Sequence, residues 1–173
     1  RAQGHDVGKS LVEQDKVEVA RETLEAARRV SDRTGLRFLL PVDHVAAPEI
    51  RPDARATSVL PGEPIPAGQM ALDIGPRTID LFVQEIELAR TIVWNGPMGV
   101  FEAPPFANGT TEIAEAVAGN ASATSIIGGG DTVAAVQQSG VAGCITHIST
   151  GGGASLEFLE GRKLPGVEAL TDK

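Results

Sequence analysis

Twice between Ser125 and Ser155 an apolar, β-branched run ends in three consecutive glycines and passes straight into a helical pattern. The first reads Ile126-Ile127-Gly128-Gly129-Gly130-Asp131-Thr132, the second Ile148-Ser149-Thr150-Gly151-Gly152-Gly153-Ala154-Ser155. Glycines at a strand-to-helix turn let bare backbone N–H groups approach a ligand, and the following helix adds its positive N-terminal end, a combination suited to phosphate. A lone glycine-rich turn is compatible with nothing more than a tight bend. Two of them, the first continued by an Asp-Thr pair, point to a nucleotide.

The rest of the chain sets these turns in an alternating pattern. Apolar or small residues at Leu11, Val17, Ala20, Leu24, Ala27 and Val30 predict a helix between Ser10 and Asp32, closed by Gly35. Leu36 to Val42 reads as a buried strand. Five prolines between Pro48 and Pro66 break the stretch up to Gly68 into a long connection or an edge-strand excursion. Ala71 to Ile74 is a short strand, followed from Pro76 by a helix to about Ala89. Strands at Thr91–Trp94, Thr124–Ile127 and Ile145–Ile148 then alternate with helices after Asn108, from Asp131 to Gln138 and from Ala154 to Leu159. Strands alternating with helices mean βα units on a parallel sheet, which bind ligands at the carboxyl ends of the strands. Both glycine triplets sit at such ends. So does Asn95-Gly96-Pro97-Met98-Gly99-Val100-Phe101-Glu102, which makes three βα turns able to face one cleft.

Several classes are disfavoured. A net charge of −8 offers no basic stripe for nucleic acid, so anion binding must come from backbone amides, helix ends and a metal. No apolar stretch is long enough to span a bilayer, and nothing resembles a signal peptide. The single Cys144, beside a predicted strand, reads as a buried free thiol, in keeping with the cytosol. Gly4-His5-Asp6-Val7-Gly8-Lys9-Ser10 resembles the P-loop but is one residue short between its glycines and follows no strand. The 173 residues suit one domain, and a start at Arg1 close to a helix reads as a cut in a longer protein.

Val93-Trp94-Asn95-Gly96-Pro97-Met98-Gly99-Val100-Phe101-Glu102, Gly128-Gly129-Gly130-Asp131-Thr132 and His147-Ile148-Ser149-Thr150-Gly151-Gly152-Gly153-Ala154-Ser155 resemble the C-terminal part of phosphoglycerate kinase. Leu72-Asp73-Ile74-Gly75-Pro76 and the closing Leu164-Pro165-Gly166-Val167-Glu168-Ala169-Leu170 extend the resemblance, in order, over nearly the whole chain. It implies an α/β, three-layer, parallel-sheet (Rossmann-like) nucleotide-binding domain truncated at its N-terminal side, with residues 1–173 as its incomplete remainder. It also implies a glycolytic, cytoplasmic and monomeric parent enzyme. That enzyme transfers a phosphoryl group between 1,3-bisphosphoglycerate and magnesium ADP to give 3-phosphoglycerate and ATP. The phosphoglycerate would be gripped by an N-terminal domain outside this sequence, and no nucleic acid or membrane partner is implied.

Residue by residue, the resemblance implies that Leu72, Gly99 and Val100 wall the adenine, that Asn95 and Pro97 hold the turn beside the nucleotide, and that Glu102 accepts from the ribose hydroxyls. Gly128, Gly129, Gly130 and Thr132 would meet the phosphates, with Asp131 holding Mg2+. Gly151, Gly152 and Gly153 would aim amides at the transferring group and stand as the catalytic residues. Taken alone, Glu102 reads as a solvated carboxylate and Asp131 as a helix N-cap. His147 reads as a hydrogen-bonded structural residue, since acyl-phosphate transfer to ADP has no hydroxyl proton to abstract. In the family's sheet order 3-2-1-4-5-6, Leu36–Val42 would be strand 3 and the three strands from Thr91 onward strands 4 to 6. Strand 3 would then lack a neighbour and strand 4 would carry a bare apolar edge unless further residues or a second chain cover them. The alternative class is a non-catalytic nucleotide-binding or assembly module that works with a partner segment.

Overall fold

The computed structural model describes residues 1–149 and 151–170. The chain divides into two units, one made of Arg1–Phe82 with Gly99–Gly109 and the other of Val83–Met98 with Thr110–Lys173.

In the first unit a 3-10 turn at Gln14–Lys16 leads into helix α1 (Val17–Thr34), which stops where the Gly35 N–H donates back to the Ser31 carbonyl. Its apolar stripe is only half-buried at Val17, Leu24, Ala27 and Val30. The run that follows corrects the sequence reading. Leu36–Val42 forms no strand, and Leu36, Phe38, Leu40 and Val42 are between 39% and 49% exposed. A strand needs a neighbouring strand to take up its amides in register, and among the described residues no strand pairs with this run.

The unit's sheet is instead antiparallel. Strands β1 (His44–Ala47), β2 (Thr57–Val59) and β3 (Met70–Ile74) lie in the order β2-β1-β3, with His44 opposite Val59 on one side and Ile74 on the other. The expected excursion between Pro48 and Gly68 is the edge strand β2. The central strand β1 was not anticipated, because Val42-Asp43-His44 breaks the apolar run that a buried strand would show. Phe106, Leu72, Ala103 and Ala47 form one buried cluster and Ala46, Val59 and Ile65 another. Helix α2 (Pro76–Leu88) starts in this unit, its first turn seated on a buried carboxylate. Asp43 accepts from the Arg77 and Thr78 N–H groups at 3.0 and 2.8 Å and from the Thr78 hydroxyl at 2.6 Å.

The second unit follows the anticipated alternation. Strands β4 (Thr91–Asn95), β5 (Thr124–Gly128) and β6 (His147–Ser149) form a parallel sheet in the order β4-β5-β6. Helix α3 (Asn108–Gly119), whose first two residues belong to the other unit, leads to β5, and α4 (Gly130–Gln138) separates β5 from β6. Helices α5 (Gly152–Leu159) and α6 (Pro165–Glu168) follow. Ile127, Val136 and Val117 are among the fully buried side chains. The entrances of β5 and β6 are tied reciprocally, the Ser125 N–H donating to Thr146 Oγ1 and the Thr146 N–H to Ser125 Oγ. As expected, the outer strand β4 has an apolar edge residue, Val93, that is 46% exposed.

One smaller expectation fails here. Cys144 is exposed, because it closes a 3-10 turn (Ala142–Cys144) and the strand starts only at His147. His147, read as structural, lies exposed at the start of that strand, where it pairs with Ile126.

Candidate functional site

The parallel register brings the three predicted turns to one edge of the second unit's sheet. Asn95 pairs with Gly128, and Gly128 pairs with Ser149, so β4, β5 and β6 end level. β4 leaves the sheet through Gly96 and β5 through Gly129, and Gly151 stands ahead of α5.

The turn after β5 is the tightest. Gly128 ends the strand, Gly130 begins α4, and Gly129 alone makes the corner with φ 90° and ψ 133°. A side chain there would be strained by the backbone, and its Cβ would stand 3.2 Å from Asn95 Oδ1. The corner is braced by Thr132, which is 1% exposed and whose Oγ1 accepts from the Gly96 N–H at 2.7 Å. That bond links the β4 turn to the first turn of α4 and leaves the hydroxyl proton of Thr132 to donate elsewhere. Trp94 adds a second brace, its indole N–H donating to the Gly96 carbonyl at 2.6 Å. Asp131 lies exposed in the first turn of α4. Gly129 and the exposed Gly130 keep the helix N-terminus bare of side chains, an arrangement suited to an anion.

At the third turn, α5 begins at Gly152 with Gly151 as its N-cap, and its cap side carries no side-chain hydrogen bond. Thr150, which the sequence reading counts within this motif, lies outside the described residues. Pro97 is half-buried beyond the first turn.

The remaining predicted residues belong to the first unit. Leu72 is 7% exposed on β3 and packs with Phe106 and Ala103, with Val100 against the same cluster. The Val100 N–H donates to the Leu72 carbonyl at 2.9 Å, which brings these two predicted adenine-wall residues together. Gly99 precedes Val100, and Glu102 is exposed on the same segment.

Sequence reasoning passed over Asp73, although it quoted the motif around it. This carboxylate is 4% exposed, and it accepts from the Gly109 N–H at 2.8 Å and the Ile74 N–H at 2.9 Å. Burial pushes its pKa up to about 6 against the pull of those two amides. A signal was available: a charged residue in the middle of Ala71-Leu72-Asp73-Ile74, an otherwise apolar strand, must find buried donors.

Among the described residues no group of three or more His, Cys, Asp or Glu stands ready to hold a metal ion, so Asp131 offers a single carboxylate. Nor is any helix there long and apolar enough to cross a membrane.

Comparison with known proteins gives the family of the chain. Residues 1–162 match the family model described as phosphoglycerate kinase. The chain is 63% identical over its whole length to the phosphoglycerate kinase of Koribacter versatilis and 56% identical to that of Lactobacillus delbrueckii subsp. lactis, and it spans 42% and 41% of those proteins. Among solved structures, phosphoglycerate kinase from Coxiella burnetii superposes with a TM-score of 0.88 at 40% identity, covering 96% of this chain and 42% of that one. The enzyme from Pyrococcus horikoshii does so with a TM-score of 0.75 at 36% identity, over 98% and 41% of the two chains. With the family model matched over residues 1–162 and relatives aligned along the whole of this chain, the chain belongs to the phosphoglycerate kinase family.

Proposed function

We propose that this chain supplies the nucleotide-binding half-site of a phosphoglycerate kinase, and that Mg-ADP is bound at the carboxyl ends of β4, β5 and β6. The observation that carries the reading is the level register of Asn95, Gly128 and Ser149, with two helix N-termini opening directly beyond it. In this reading Leu72, Gly99 and Val100 wall the adenine, and Glu102 accepts from the ribose hydroxyls. Asn95 and Pro97 shape the turn, and the amides of Gly128, Gly129 and Gly130 together with Thr132 meet the phosphates.

A lone exposed carboxylate at a helix start fits Mg2+ whose other ligands are water and phosphate oxygens, so Asp131 is the residue that would hold it. The ion's contribution is to neutralise charge on those oxygens. Gly151, Gly152 and Gly153 aim amides at the phosphoryl group as it passes from the acyl phosphate of 1,3-bisphosphoglycerate to the terminal oxygen of ADP. The bond from phosphorus to the acyl oxygen breaks, and a carboxylate leaves as 3-phosphoglycerate. No proton has to be abstracted, so positioning and charge stabilisation are the whole task. Residues beyond this chain would grip the phosphoglycerate. A cytoplasmic, monomeric enzyme without nucleic-acid or membrane partners belongs to the same reading, and the net charge of −8 supports the lack of a nucleic-acid partner.

The test is a chimaera in which residues 1–173 replace the matching stretch of the Koribacter versatilis relative. ATP formation from 1,3-bisphosphoglycerate and ADP is expected in the chimaera and not in the 173-residue chain alone. Asp131→Ala should lower turnover by at least tenfold, and Glu102→Gln should weaken ADP but not its 2′,3′-dideoxy analogue. An inactive, folded chimaera that binds no ADP would overturn the proposal.

A further inference from the structure

We propose that Asp73 is the positioning residue for the adenosine end of the nucleotide: its carboxylate clamps the segment Gly99–Gly109 to β3 and thereby sets the adenine wall and Glu102. This rests on the nucleotide reading above and adds to it a residue that touches no part of the ligand.

The segment is stitched to neighbouring residues of one strand at both of its ends. At the start the Val100 N–H donates to the carbonyl of Leu72, and at the finish the Gly109 N–H donates to Oδ2 of Asp73. Between these points Phe106, with no exposed surface, and Ala103 pack on Leu72. Glu102 is exposed on this segment, so its place follows from where the stitching holds the backbone.

The sequence keeps room for the carboxylate from both sides. A Cβ built on Gly99 would run into the Asp73 carboxylate and the Phe106 carbonyl, and one built on Gly109 into the same carboxylate and the Ile74 side chain, so both positions that flank the acid inside the segment are occupied by the one residue without a side chain. An ordinary core residue would satisfy packing here without two glycines and a buried acid. The acid is retained at a cost, since burial holds its pKa near 6. What it provides is a fixed acceptor for a backbone amide at the far end of the segment.

The experiment measures binding of Mg-ADP and of magnesium pyrophosphate to the chimaera that carries residues 1–173, with hydrogen exchange read over residues 99–109. Asp73→Ala should weaken ADP about tenfold while pyrophosphate changes less than twofold, because the phosphate turns lie on other strands. Amides of the segment should exchange faster, and those of β4 to β6 at the parent rate. Gly109→Ala, which drives a methyl onto the carboxylate, should give the same split, and the double variant should be no worse than Gly109→Ala alone. Equal loss of ADP and pyrophosphate would mark Asp73 as merely structural and overturn the inference, as would unchanged ADP binding by a folded Asp73→Ala chimaera. If the parent chimaera, folded, bound no ADP, the nucleotide reading would fall and this inference with it.

Discussion

Asp43 and Asp73 are the same residue, nearly equally buried at 3% and 4% exposure, and each holds the first turn of a helix, yet their acidities move in opposite directions. Asp43 loses hydration on burial, but the Thr78 hydroxyl, the Arg77 and Thr78 amides and the charge of neighbouring His44 outweigh that loss and lower its pKa. Asp73 suffers the same kind of loss with only the Gly109 and Ile74 amides to offset it, and its pKa rises to about 6. His44 sits between opposing effects, lowered by its own burial and raised by the charge of Asp43, with burial prevailing. Equal surface exposure therefore does not fix the state of a carboxylate: Asp73 lies deeper in the protein and meets fewer donors, and both push its acidity away from that of Asp43. The first aspartate is a structural cap that stabilises α2. The second is held in a costlier setting, at the segment proposed to carry the adenosine site.

Breaking the stronger member should have the largest effect. Asp43→Ala strips an acceptor from two amides and one hydroxyl at the start of α2, and a loss of about 3–4 kcal/mol is expected in urea unfolding of the chain. Should the variant lose less than about 1 kcal/mol, the contrast with Asp73 would collapse.

The pH dependence sharpens the same contrast. Because Asp73 has a folded pKa above its unfolded value of 3.8, the folded chain keeps a proton that the unfolded chain releases between about pH 4 and 6. Stability contributed by this group therefore falls as pH rises through that window, by roughly 3 kcal/mol, and stays constant above it. Asp43 acts in the opposite sense: its contribution is present above the unfolded value of 3.8 and is lost as pH falls through its lower folded value. Unfolding free energies measured from pH 3 to 7 should show the decline between 4 and 6, and Asp73→Asn should flatten it. A decline that survives in Asp73→Asn belongs to another group.

The smallest effect is expected where a helix end is held by a neutral side chain. The Asn120 amide donates to the carbonyls of Ile86 and Ala89 at the end of α2, at 2.7 and 3.0 Å. Asn120→Ala should cost about 1–2 kcal/mol, equally at pH 4 and pH 7. A pH-dependent loss would show that charge, rather than donor count, distinguishes these helix ends.

Local pattern made the second unit readable from its residues. Thr91–Trp94, Thr124–Ile127 and the glycine triplet after them are compact strand and turn signals, and each was found within a residue or two of its place. The candidate site was legible as a set of residue types for the same reason: Gly128 to Thr132 and Gly151 to Gly153 are contiguous. Leu36–Val42 misled because its apolar pattern states what the run prefers to be next to and not whether a neighbour is there. Cys144 misled because one displaced strand start moved it from a sheet flank to an exposed turn.

The sequence alone determined the residue types available: glycine runs after two strands, carboxylates at Asp131 and Glu102, and helix starts at both triplets. These follow from short-range sterics and hydrogen bonding, which neighbouring residues settle among themselves. The tertiary structure alone decided the register that levels Asn95, Gly128 and Ser149, the antiparallel pairing of β1 with β2 and β3, and the opposite acidities of Asp43 and Asp73. Each of these depends on groups far apart in the chain, as with Asp73 and Gly109 or Asp43 and Thr78, so the energy that decides them exists only once the chain has brought those groups together.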